Sequence, residues 1–98
     1  MPTYVTLINW TDEGIRTYQE TVNRSEAFKQ LIERLGGSVK DVYWTLGEYD
    51  VVAVTEAPDD ATAMASALAT SSQGRIRTKT LRALSADEMR EVLQKASQ

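Results

Sequence analysis

The chain contains neither cysteine nor histidine. The first absence rules out disulfides and thiolate chemistry. The second removes the commonest general base and the commonest transition-metal ligand. Any catalysis would therefore have to draw on carboxylates, tyrosine, lysine, arginine, hydroxyls or a borrowed cofactor. Proline and glycine are also scarce, at two and five residues, and no apolar run reaches the length of a membrane span. The opening Met1-Pro2-Thr3-Tyr4 lacks the basic-then-apolar pattern of a secretory signal, so a cytoplasmic protein with no membrane partner is expected. A net charge of −3 leaves no overall basic excess for nucleic acid, and no nucleic-acid partner is expected.

What is present is the balance of a globular chain: 98 residues, 42% hydrophobic and 26% charged, enough for one modest core. Thr3 to Trp10 is β-branched and aromatic and reads as a first strand. Thr11-Asp12 can cap a helical turn before Gly14, and the stretch from there to Ser25 fits either a broken or a continuous helix. From Ser25, Ala27, Phe28, Leu31, Ile32 and Leu35 form an apolar stripe at helical spacing, closed by Gly36-Gly37. Val39 to Leu46 and Tyr49 to Thr55 read as two strands of a hairpin joined tightly at Gly47-Glu48. Pro58-Asp59-Asp60 then opens an alanine-rich helix with Ala63, Met64, Ala67 and Leu68 expected inward, ending at Gly74. Arg75 to Ala83 reads as a fourth strand. Ser85-Ala86-Asp87-Glu88 is a capping box for a last helix, whose expected buried side is Met89, Val92, Leu93 and Ala96.

The order β-α-β-β-α-β with an added C-terminal helix predicts a ferredoxin-like α+β fold in one domain over residues 1–98. Right-handed crossovers would place both main helices on one face of a four-stranded antiparallel sheet. A solvated second face should alternate apolar and polar residues, yet Val51-Val52-Ala53-Val54 and Val42-Tyr43-Trp44 run without a break. The simplest cover is the same face of a second copy, which predicts a homodimer. The alternative is that the terminal helix folds back over that face.

The segments Tyr4 to Thr11, Tyr43 to Ala53, Glu56 to Asp60 and Arg77 to Ala83 together resemble the GYD family, whose signature turn is here Gly47-Glu48-Tyr49-Asp50. The resemblance spans nearly the whole chain. It implies a ferredoxin-like fold of the dimeric α/β-barrel kind, a fold group that also holds isomerases, cofactor-free monooxygenases and haem-handling proteins. Fold likeness alone does not carry any of those activities across.

Several polar and aromatic residues are candidates for chemistry. Tyr49 can donate a phenolic hydrogen bond to a ligand oxygen, and Asp50 is a possible general base if burial raises its pKa. Equally, an Asp after a turn often accepts backbone N–H bonds while its neighbour packs on the sheet. Trp10, Tyr43 and Trp44, with Thr45, would suit the wall of a pocket for a flat organic ligand, or simply the core. Arg77 or Arg82 could hold a carboxylate or enolate oxygen, or could serve as charges protecting an edge strand. The acidic pairs Asp12-Glu13, Asp59-Asp60 and Asp87-Glu88 all fall at expected helix starts, where the helix dipole accounts for them. No metal site and no cofactor are expected. The leading expectation is a dimer that binds a small organic ligand. If it is catalytic, proton transfer or cofactor-free oxygen chemistry on a small carbonyl or phenolic compound is expected, with Tyr49 and an arginine polarising an oxygen. The competing expectation is a non-catalytic structural or regulatory dimer.

Overall fold

In the computed structural model, which describes residues 1–98, the strands are β1 (Thr3–Trp10), β2 (Ser38–Trp44), β3 (Val51–Glu56) and β4 (Ile76–Ala83). The helices are α1 (Asp12–Arg16), α2 (Thr21–Arg34), α3 (Asp60–Ser71) and α4 (Ala86–Ala96). Every neighbouring strand pair is antiparallel and the sheet order is β2-β3-β1-β4, the ferredoxin-like arrangement expected from the element order. The undecided stretch after Gly14 is broken: α1 ends at Arg16, a 3-10 turn covers Tyr18–Glu20, and α2 starts at Thr21.

Strand register fixes which side chains share a face. Tyr4, Thr6, Ile8 and Trp10 of β1 lie beside Thr55, Ala53 and Val51 of β3, and all of these face α2 and α3. Ile8, Val51 and Ala53 are buried there with Trp10, Phe28, Val42 and Ile76 packed around them. A second buried cluster joins Tyr4 to Ala57 and Ala63 at the start of α3. Ile32 of α2 is the largest side chain fully withdrawn from water, a burial worth roughly 1.5–3 kcal/mol.

Local chemistry sets the helix starts. Thr11 caps α1 through its hydroxyl on the Gly14 N–H, and Asp59 caps α3 through its carboxylate on the Thr62 N–H. Gly14 also lets α1 press against the chain entering β4: a Cβ there would stand 2.0 Å from the Arg75 carbonyl oxygen. Thr11 ties the same approach by donating its N–H to that oxygen at 3.0 Å and its hydroxyl to the Gly74 carbonyl at 2.6 Å.

Three expectations need correction. The β2–β3 connection is not a tight turn at Gly47-Glu48, because β2 stops at Trp44 and β3 begins at Val51. The intervening residues form a wider loop that folds across the end of β1, where Asn9 donates to the Glu48 carbonyl and the Asp50 N–H donates to the Ile8 carbonyl. In α3 the inward positions are Ala63 and Ser66, while Met64 and Leu68 are 63% and 64% exposed. The helix lies over β4 through small side chains and leaves its large ones outside. Finally, α4 does not fold back over the sheet: no residue of it is buried, and Met89, Val92 and Leu93 remain substantially exposed. Its capping box is formed, with the Ser85 hydroxyl on the Glu88 N–H and the Glu88 carboxylate on the Ser85 N–H.

Candidate functional site

Between the helices and the sheet lies an open cavity of about 340 Å³. Its origin is in the choice of side chains on both sides. The sheet contributes Thr6, Ala53, Thr55, Thr78 and Thr80 to this face, and α3 contributes Ala63, Ser66 and Ala67. Residues this small cannot fill the space that the backbones of α2, α3 and the sheet enclose. The hydroxyls on the floor are loosely satisfied: Thr6 and Thr80 approach only to 3.5 Å, as do Ser71 and Thr78.

The walls are aromatic. Trp10 at the end of β1, Trp44 at the end of β2 and Phe28 of α2 all line the space. The Trp44 Nε1–H donates to the Thr21 hydroxyl at 2.9 Å, which pins the strand end to the first residue of α2. The charged lining is of one sign: Arg24, Arg34 and Arg75 border the cavity, and no Asp or Glu does. The chain's ion pairs are Lys40–Glu56, Arg82–Glu88 and Arg90–Asp87, so these three arginines take part in none. Neutral acceptors hold two of them: Arg24 donates to the Thr17 hydroxyl at 2.5 Å and Arg75 to the Gln73 side-chain oxygen at 3.0 Å.

The residues singled out from sequence are distributed over several places. Trp10 and Trp44 line the cavity. Tyr43 is 59% exposed on the opposite face of the sheet, its hydroxyl 3.5 Å from Asp41. Tyr49 lies on that same open side, where the Lys79 ammonium stands 5.7 Å from its ring centre. The Asp50 carboxylate accepts the Trp10 backbone N–H at 2.9 Å. Thr45 closes the loop by donating its N–H to the Asp50 carbonyl and its hydroxyl to the Tyr49 carbonyl. Arg77 is exposed on the open face opposite Asn9. Arg82 stands over the Tyr4 ring at 5.7 Å and within 3.9 Å of Glu88.

Tyr4 is buried beneath α3, and its hydroxyl donates to the Asp60 carboxylate at 2.5 Å. That bond, reinforced by desolvation and the acid's charge, raises the phenol above its usual pKa, while Arg82 pulls it down. The Thr62 hydroxyl and N–H on Asp59 hold that carboxyl below the usual range.

Arg24, Arg75 and the threonines of the cavity floor are not singled out by the sequence as site residues. Their signal is available in part: threonine stands at two successive same-face positions of β4, Thr78 and Thr80, and at Thr6 and Thr55 inside mostly apolar strands. Which arginines reach the cavity depends on how far α2 and α3 diverge, and no local spacing encodes that.

Comparison with known proteins places this geometry in context. The GYD domain model matches residues 4–93. A protein of Thermus thermophilus named "Glutamine synthetase and cystathionine beta-lyase binding protein" is 39% identical over 85 residues, covering 86% of this chain and 90% of the relative. A crystal structure of a protein from the same organism superposes with a TM-score of 0.49 at 28% identity, covering 88% of this chain and 96% of the other.

Proposed function

The chain belongs to the GYD domain family, and from that premise we propose that it is a non-catalytic, homodimeric binding protein. It docks on metabolic enzymes of the kind named for its relative, and it holds a small organic molecule in the pocket between helices and sheet. The observation that carries this reading is the likeness to the Thermus binding protein, which runs almost end to end in both chains. A cytoplasmic location, where such enzymes work, fits it.

The catalytic alternative draws less support from the geometry. The Asp50 carboxylate is engaged by the Trp10 N–H, and Tyr49 sits with Lys79 on the side of the sheet away from the cavity. A base and a phenol so placed do not converge on a reactant held among Trp10, Trp44 and Phe28.

The homodimer rests on uncovered surface. Val5, Leu7, Val52, Val54 and Leu81 form the apolar centre of the face opposite the helices, and none of them is fully buried. The chain exposes 6695 Å², against about 5,600 Å² for a monomer of its mass. The excess is on the order of 1,100 Å², somewhat more than the roughly 800 Å² that each partner gives to a stable interface. The radius of gyration points the same way, at 14.8 Å against about 12.6 Å for a compact chain of this length.

The test is direct binding of the purified protein to glutamine synthetase and cystathionine beta-lyase from its own host, by surface plasmon resonance, beside sedimentation of the free protein. A dimer that binds either enzyme saturably is the expected result. A monomer, or a dimer that binds neither enzyme, would remove the corresponding half of the reading.

A further inference from the structure

Building on the ligand-pocket part of that reading, we propose that the cavity selects an amphipathic organic anion. The ligand has a flat apolar body, seated against Trp10, Trp44 and Phe28, and a single carboxylate-like or sulfonate-like head held at Arg24 or Arg75. The first argument is the sign of the charges. Acidic residues outnumber basic ones in the chain, 14 to 11. The cavity reverses that balance, with Arg24, Arg34 and Arg75 on its border and no carboxylate.

The second argument is that this charge is not cancelled. None of the three arginines belongs to an ion pair. Arg24 and Arg75 instead bond to a threonine hydroxyl and a glutamine carbonyl. These contacts orient the guanidinium groups and leave them their full charge and spare N–H donors. An anionic head arriving there gains charge-assisted hydrogen bonds, whereas a cation would be repelled.

The third argument is the remainder of the lining. Fourteen of the twenty-six lining residues are hydrophobic, and the floor offers only hydroxyls. That surface suits an apolar body carrying few polar groups. At about 340 Å³ the space lies near the lower end of small-molecule pockets, so it takes a body of two or three rings and no more.

The experiment uses the full-length protein and two dyes of nearly the same shape, anilinonaphthalene sulfonate and its uncharged analogue phenylnaphthylamine. Trp10 and Trp44 are the chain's two tryptophans and both line the cavity, so each titration is followed by loss of their emission as well as by dye fluorescence. Two variants accompany the wild type: Arg24→Gln/Arg75→Gln, which removes charge at the border, and Ala67→Phe, which fills the cavity. The expected result is that the anion binds about tenfold or more tightly than the neutral dye. The double arginine variant then loses that preference with neutral-dye affinity unchanged, and Ala67→Phe weakens both dyes. Equal binding of the two dyes, abolished by Ala67→Phe, would overturn the anion selectivity and leave the pocket standing. Binding that survives Ala67→Phe, or no binding at all, would overturn the pocket reading and the selectivity together. A preference that persists in Arg24→Gln/Arg75→Gln would overturn the role given to these arginines.

Discussion

On the helix-covered face of the sheet the central row runs Val42, Ala53, Thr6, Thr80; one residue along, on the open face, it runs Asp41, Val54, Val5, Leu81. The covered row is small and hydroxyl-bearing, and the open row has three branched aliphatic side chains in succession. Hydrophobic burial alone would put the larger apolar residues under the helices. The reverse arrangement in this row fits the two roles proposed above. The covered face is underfilled and lined by arginines, as a site that receives a molecule is. The open face carries an unbroken apolar centre flanked on its edge strands by Asp41, Tyr43, Arg77 and Lys79, which fits the proposed dimer contact.

The largest effect is expected from breaking the open face. Val54 sits at its centre, between Val5 and Asp41. Val54→Asp would place an unpaired carboxylate in the proposed dimer interface at a cost of about 3–5 kcal/mol. Dimer affinity should fall by about a hundred- to a thousandfold, measured by sedimentation over a concentration series. The free monomer tolerates the charge, since that face is wet, so circular dichroism should be unchanged. A variant still dimeric at the wild-type concentration would move the interface elsewhere.

Gly14→Ala tests the covered side. Its methyl group would stand 2.0 Å from the Arg75 carbonyl oxygen, so α1 and the entry to β4 must separate. Stability should fall by about 2–3 kcal/mol, read as a lower urea midpoint, while the dimer constant stays put. An unchanged midpoint would mean that this end of the cavity is loosely held.

The loop that passes between the two faces gives a smaller effect. Asp50→Ala orphans the Trp10 N–H and should cost about 1–2 kcal/mol. Asp50→Asn keeps an acceptor in place and should cost less than half as much. If the two variants were equally unstable, the charge of Asp50, not its acceptor, would be what the loop requires.

Much of this architecture is legible in the sequence, and for identifiable reasons. β1 is readable to the residue because its β-branched run is bounded by Thr11-Asp12, and α4 because Ser85 and Glu88 stand at capping-box spacing. These are local signals. The β2–β3 connection escapes such a reading because Gly47 suggests a two-residue turn. The wider loop is held by long-range bonds from Asn9 and to the Ile8 carbonyl, partners some forty positions away. The stripe of α3 is misleading because Met64 and Leu68 are its largest apolar residues. Packing favours Ala63 and Ser66, which permit close approach. The two tryptophans of the cavity are recognisable as wall material by residue type. The arginines and threonines around them become a site only once the helices are placed.

The last and smallest effect concerns α4, none of whose residues is buried and which borrows stability from its first turn. The Glu88 carboxylate accepts the Ser85 N–H at 2.9 Å. That bond, aided by the Ser85 hydroxyl, Arg82 and the chain's amino group, holds the Glu88 carboxyl below its ordinary 4.5 against a small opposing desolvation. A carboxyl with a lowered folded-state pKa binds fewer protons folded than unfolded in the interval between the two values. The stabilisation is therefore complete above the unfolded value and is lost as pH falls through the folded one. Asp59 at the start of α3, lowered from 3.8 by Thr62, acts in the same direction. Glu88→Gln retains a carbonyl acceptor for the capping box but has no proton to gain. Near neutrality its Tm should lie within a few degrees of wild type. Between about pH 5 and pH 3 the wild type should lose Tm more steeply than the variant, with Asp59 and the remaining acids supplying the slope common to both. Parallel curves would show that Glu88 acts by its shape alone, and that the first turn of α4 owes nothing to its charge.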